Sequence, residues 1–226
     1  MKPVAHDPLR QLTEIRAIME RSSKFISLSG LSGVGAGVVA LLGAGAVHLY
    51  LVQHISPDYA HQGYDWLLHT PLPERLAVLP TLLALAVATI TLALLVAAFF
   101  TLRRTRREGL RSIWTAPARR LAVALALPLG AGGLFCLRLY LSAAPELVLP
   151  AMLLFYGLAL LNGSKYTLDE IKCLGLTQVL LGLGGLVLPG YGLALFGLGF
   201  GLGHIGYGLL MYNRYERPAG AKFAAP

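Results

Sequence analysis

Six apolar runs alternate with short polar stretches along this chain, at about residues 28–51, 76–102, 121–141, 145–161, 168–188 and 193–212. As a helix rising ~1.5 Å per residue, a run of about 20 residues crosses a hydrocarbon core of about 30 Å, so each run predicts one membrane span. A different pattern precedes the first run. Leu12, Ile15, Met19, Ser22 and Ile26 recur at helical spacing, while Arg10, Glu14, Arg16, Glu20, Arg21 and Lys24 lie elsewhere on the surface. Asp7 as N-cap and Pro8 at the first helical position start this segment, so residues 7–25 predict an amphipathic helix on the cytoplasmic membrane surface. The expected fold is all-α: an integral membrane bundle of six transmembrane helices plus the amphipathic helix, in a single domain.

The run boundaries carry their own signals. Thr167 and Glu170 have the spacing of a capping box before the fifth span. Pro189-Gly190-Tyr191-Gly192 predicts a very tight turn into the sixth. Asn162-Gly163 reads as the cap of the fourth span, Pro80 falls in the first turn of the second, and Pro128 reads as a kink in the third. Glycines mark close helix contacts. Gly33 and Gly37 form a GxxxG pair, Gly197, Gly201 and Gly208 share a face with His204, and Gly199 and Gly203 give a second small-xxx-small pair. Such faces let helices approach closely in lipid, within one chain or between copies in a homo-oligomer.

Composition agrees with the runs. Of 226 residues, 56% are hydrophobic and 13% charged, and the mean hydropathy is +0.65; soluble domains carry about 25% charged residues. The net charge of +8 would suggest nucleic-acid binding in a soluble protein, but here topology accounts for it. With the N-terminus inside, every Lys and Arg except Arg75 and Arg138 falls in a cytoplasmic segment, which the positive-inside rule favours strongly. Both termini are therefore expected in the cytoplasm, with Arg75 in an outer loop. The arginine-rich loop from Arg103 to Arg120 is expected to contact anionic lipid at the inner face, and no nucleic acid is expected. Cys136 and Cys173 lie towards opposite faces, so they read as small buried apolar residues and not as a disulfide.

Lys165-Tyr166-Thr167-Leu168-Asp169-Glu170-Ile171-Lys172, Pro189-Gly190-Tyr191-Gly192 and Gly203-His204-Ile205-Gly206-Tyr207-Gly208 resemble segments of a group of small bacterial six-span membrane proteins. The likeness covers about the last quarter of the chain and, more loosely, Met19-Glu20-Arg21-Ser22. It implies the same topology, in the bacterial cytoplasmic (inner) membrane, and brings no catalytic residues with it.

Ionisable groups inside a membrane are expensive to place, and each is a candidate for function. His48, Arg138 and His204 qualify. Arg138 has a bland reading, snorkelling to the outer headgroups or pairing with Glu146. His204 is expected to be a neutral ring facing the bundle interior, bonded to a hydroxyl, amide or backbone carbonyl. A second candidate is the outer loop, where His54, Asp58, His61, Asp65 and His69 could form an ion-binding or pH-responsive site, although their spacing matches no metal motif. No nucleotide loop, zinc-protease motif or nucleophile motif is present. The expected role is a non-enzymatic sensing or accessory subunit with a cytoplasmic protein partner, needing no metal or cofactor. The alternative is a small transporter or channel using His48, Arg138 and His204.

Overall fold

The computed structural model describes residues 29–54, 70–107, 109, 114–142 and 144–217. Six helices in it are long and apolar enough to cross a membrane. They are α1 (Gly30–His54), α2 (Leu72–Arg107), α3 (Ala116–Leu141), α4 (Pro145–Tyr166), α5 (Asp169–Val187) and α6 (Gly192–Glu216). No strand occurs among the described residues. The fold is an all-α helical bundle. The predicted amphipathic segment at 7–25 lies outside the described residues.

Neighbours in space follow the small residues. α4 packs on α5 and on α3, while α1 packs on α2 and on α6; α6 joins the two groups through α5 and α4. The α1–α6 seam is made of the two glycine motifs facing each other. A Cβ at Gly37 would meet the Gly201 carbonyl oxygen at 2.6 Å, and one at Gly208 would meet the Gly30 carbonyl oxygen at 2.7 Å. Gly33 sits over Gly208 and the His204 carbonyl, and Gly201 over Leu41; Gly197 is looser. These glycines serve a contact inside the chain. Sequence reading missed the equivalent seam between α4 and α5, where Gly157 lies against the Gly175 carbonyl and Val179, and Gly182 against Pro150 and Leu154.

Several helix ends differ from expectation. α2 begins four residues early, so Pro80 is inside the helix and Arg75 in its first turn, not in a loop. Arg75 is buried at 6% exposure. Its guanidinium donates to the Tyr140 carbonyl (2.7 Å) and the Ser142 carbonyl (3.0 Å), and the Tyr140 hydroxyl donates back to the Arg75 carbonyl (2.9 Å). The last carbonyls of α3, left over by the helix, thereby find donors. Leu168, not Thr167, is the N-cap of α5, and it makes no side-chain cap bond. The Glu170 carboxylate is bound across the bundle: Arg214 (2.9 Å) and the Tyr215 hydroxyl (3.0 Å) donate to it from the end of α6. The α-helical part of α4 ends at Gly163, as the Asn162-Gly163 pair predicts, and one 3-10 turn carries the span on to Tyr166. Asn162 Nδ2 donates to the Ala124 carbonyl on α3 (2.9 Å), and Gly163 admits Leu121 and Leu125. α3 runs unbroken through Pro128. Cys173 is exposed while Cys136 is buried, and both are free. The turn before α6 is as expected, with Gly190 at φ +86°, a value that favours glycine.

One end of the bundle carries the C-terminal arginines of α2 and the start of α3; the other carries Arg75, in the first turn of α2, and the Gly190 turn. At the basic end Glu216, the last residue of α6, caps α1. Its carboxylate accepts from the Gly30 amide and the Ser29 hydroxyl (3.0 Å) and pairs with Arg104 (3.4 Å). α1 has no acidic residue in its own first turn, so a distant carboxylate supplies the negative charge that a helix N-terminus favours.

Candidate functional site

Midway along α6 the chain leaves the α-helical ladder. Residues Gly197–Gly203 form a π-helix, with α-helix on either side. Glycines at 197, 199, 201 and 203 offer no side chains to oppose the wider turn, and single π turns of this kind are frequent at functional sites. The Gly199 carbonyl is presented to two side chains at once. Gln178 Nε2 on α5 donates to it at 2.8 Å, and His204 Nδ1 lies 3.3 Å away.

His204 is buried. A carbonyl can only accept, so Nδ1 carries the hydrogen in that contact; Nε2 then accepts from the Tyr156 hydroxyl on α4, at 2.6 Å. One donor and one acceptor use both nitrogens of a neutral imidazole. Aromatic rings surround it, Phe200 stacked on it and Tyr156 tilted against it. Tyr156 and His204 both lie against Phe200, and Phe200 stacks on Phe196 with centroids 4.6 Å apart. Gln178 is fully buried, and its Oε1 has no hydrogen-bond partner. It points at Gly199, where a side chain would collide with it and with Leu153. The result is a polar cluster of Tyr156, Gln178, Gly199 and His204 joining α4, α5 and α6 inside an apolar bundle.

The three intramembrane candidates are not brought together. His204 is interior, whereas His48 and Arg138 are exposed on α1 and α3. Neither of those helices contributes a side chain to the His204 bonds. Arg138 makes no pair with Glu146, whose Oε2 is buried without a partner. The outer-loop candidates Asp58, His61, Asp65 and His69, and the side chain of His54, lie outside the described residues. Among the described residues, no three metal-ligating side chains converge. Sequence reasoning looked only for ionisable groups and so missed Tyr156 and Gln178. The available signal was a neutral hydrogen-bonding side chain deep within each of two largely apolar runs, Tyr156 in the fourth and Gln178 in the fifth.

Six apolar helices of spanning length, with a buried polar cluster between three of them, define a membrane-embedded helical protein. Comparisons with family models, with curated proteins and with solved structures found no match.

Proposed function

We propose that this chain is a protein of the bacterial cytoplasmic membrane, with its basic end in the cytoplasm, acting without catalysis as a sensing or accessory subunit. The observation that carries this reading is how the polar groups are used. His204 spends both ring nitrogens on the bundle, while His48 and Arg138 lie on the exterior. A transport path through these three residues would need them to face one another. The glycine seams bring backbones into contact, which suits a firm scaffold. The basic end supports a platform role: Glu216 ties α6 to α1 and α2, and Glu170 ties α6 to α5. A cytoplasmic protein partner would meet this platform.

The test has two arms. Purified protein in liposomes loaded with a pH-sensitive dye should pass protons no faster than empty liposomes; a flux abolished by His204→Leu would replace this reading with transport. In cells, a photo-crosslinker at Arg107 or Trp114 should yield a discrete adduct with one protein, and deletion of residues 1–24 should weaken it while leaving insertion intact. No adduct from any position at the basic end would defeat the partner role.

A further inference from the structure

We propose that the basic end of α2 binds one anionic phospholipid, its phosphate held by Arg103, Arg106 and Arg107 and its acyl chain laid on Phe99 and Leu102. This goes beyond the proposed function and does not depend on it.

Helix geometry places the groups. α2 has 36 residues, ~54 Å of helix against a core of about 30 Å, so its last turns reach the headgroup layer. Arg103, Arg106 and Arg107, at i, i+3 and i+4, share one face. Phe99 stands one turn before Arg103, and Leu102 one turn before Arg106, on the apolar side. These five residues line a groove of about 500 Å³. The boundary between its apolar floor and cationic rim therefore falls within a single turn.

The charges are available. Arg104, on the other face, is turned to Glu216. No carboxylate pairs with Arg103, Arg106 or Arg107 among the described residues, and all three are exposed. α2 packs chiefly on α1, while Arg75 and Arg104 reach the ends of α3 and α6. Phe99 remains 60% exposed and Leu95, one turn further along, 62%. Guanidinium forks match phosphate oxygens bidentately, which a general positive field does not require. A free phosphate would satisfy the arginines and leave Phe99 and Leu102 uncovered. An anionic lipid satisfies both, and charge complementarity selects it over a zwitterionic one.

The experiment is native mass spectrometry of the full chain released from nanodiscs of mixed phosphatidylglycerol and phosphatidylcholine. The wild type should retain one phosphatidylglycerol in preference to phosphatidylcholine. Arg103→Gln/Arg106→Gln/Arg107→Gln should reduce that preference about tenfold, and the Lys triple variant about threefold, since lysine keeps the charge but lacks the fork. The Lys variant also preserves the charge that orients the chain, so it decides the matter if the Gln variant fails to insert. Phe99→Ala should shorten lipid retention with the arginines intact. Arg119→Gln/Arg120→Gln removes charge at the same end and should leave the preference unchanged. Equal loss in that control would assign the effect to bulk surface charge and overturn the proposal. So would unchanged preference in the Lys variant, or displacement of the lipid by inorganic phosphate, which would make the site one for the free anion. Retention of a protein fragment in place of lipid would also overturn it.

Discussion

His204 and Tyr156 share one hydrogen bond, and this makes their energetics separable by experiment. An interhelical bond in a membrane contributes about 0.6 kcal/mol on average and up to about 1.7. Tyr156→Phe removes the donor and leaves the rings packed; His204→Leu removes the acceptor. Each should destabilise by about 0.5–1.7 kcal/mol in that range, read by thermal or denaturant unfolding in bicelles. Because both remove the same bond, the double variant should lose clearly less than the sum. Full additivity would show that the 2.6 Å contact contributes nothing. Glu216 is a second residue with a specific expectation. Glu216→Gln keeps an acceptor for Gly30 but removes the charge facing Arg104 and the α1 N-terminus. The loss should be about 1 kcal/mol, within the range for charges at partly buried helix termini. Added salt should screen little of it, since the Arg104 and Glu216 side chains are only 10% and 13% exposed.

Among the helices, α1 and α6 depend most on what glycine omits. At Gly37 and Gly208 a Cβ would strike backbone atoms of the partner helix, which cannot turn aside as a flexible side chain can. Gly37→Leu and Gly208→Leu should each open the α1–α6 seam and destabilise by at least about 2 kcal/mol, as overpacked interiors do. Gly45 and Gly184 are the controls: nothing lies within 4 Å of a Cβ at either. Gly45→Ala and Gly184→Ala should be neutral or stabilising by up to about 1 kcal/mol, from helix propensity alone. Unfolding of the four variants in the same bicelles checks the contrast, and equal losses in both pairs would refute this account of the seam. The π-helical stretch of α6 has the same root, because four glycines allow the backbone to widen where Gln178 and His204 need its carbonyl.

For the molecule as a whole, orientation is the decisive expectation. Reporter fusions after Glu108 and after Pro226 should report the cytoplasm, and one near His61 the opposite side. A cytoplasmic signal at His61 would invert the bundle and place the arginine end of α2 outside. Arg75 bears on the same question. It is a cation at the end otherwise poor in positive charge, yet it is bound to the α3 terminus. Arg75→Gln should therefore loosen the α2–α3 junction, measurable as faster protease cleavage near Ser142, without changing the fusion signals.

The number of spans and their class were legible in the chain because burying an unpaired backbone in lipid is so unfavourable that long apolar runs must be helices. The Pro189-Gly190 turn was equally legible, since φ and chain reversal are local properties. The glycines announced close contact, but a glycine does not name its partner. That Gly33 and Gly37 meet Gly201 and Gly208 is settled by which helices lie side by side. The polar site was half readable. His204 stood out as an ionisable group in an apolar run. Tyr156, Gln178 and the Gly199 carbonyl did not, because a hydrogen bond across helices depends on depth and rotation, and an apolar run of period 3.6 leaves both open. Charge counting had the same limit. It put Arg75 in an outer loop, where packing instead tied it to the end of another helix, and it said nothing of the bond from Arg214 to Glu170. Local chemistry and the bilayer decide what each segment becomes; only the packed bundle decides which side chains meet.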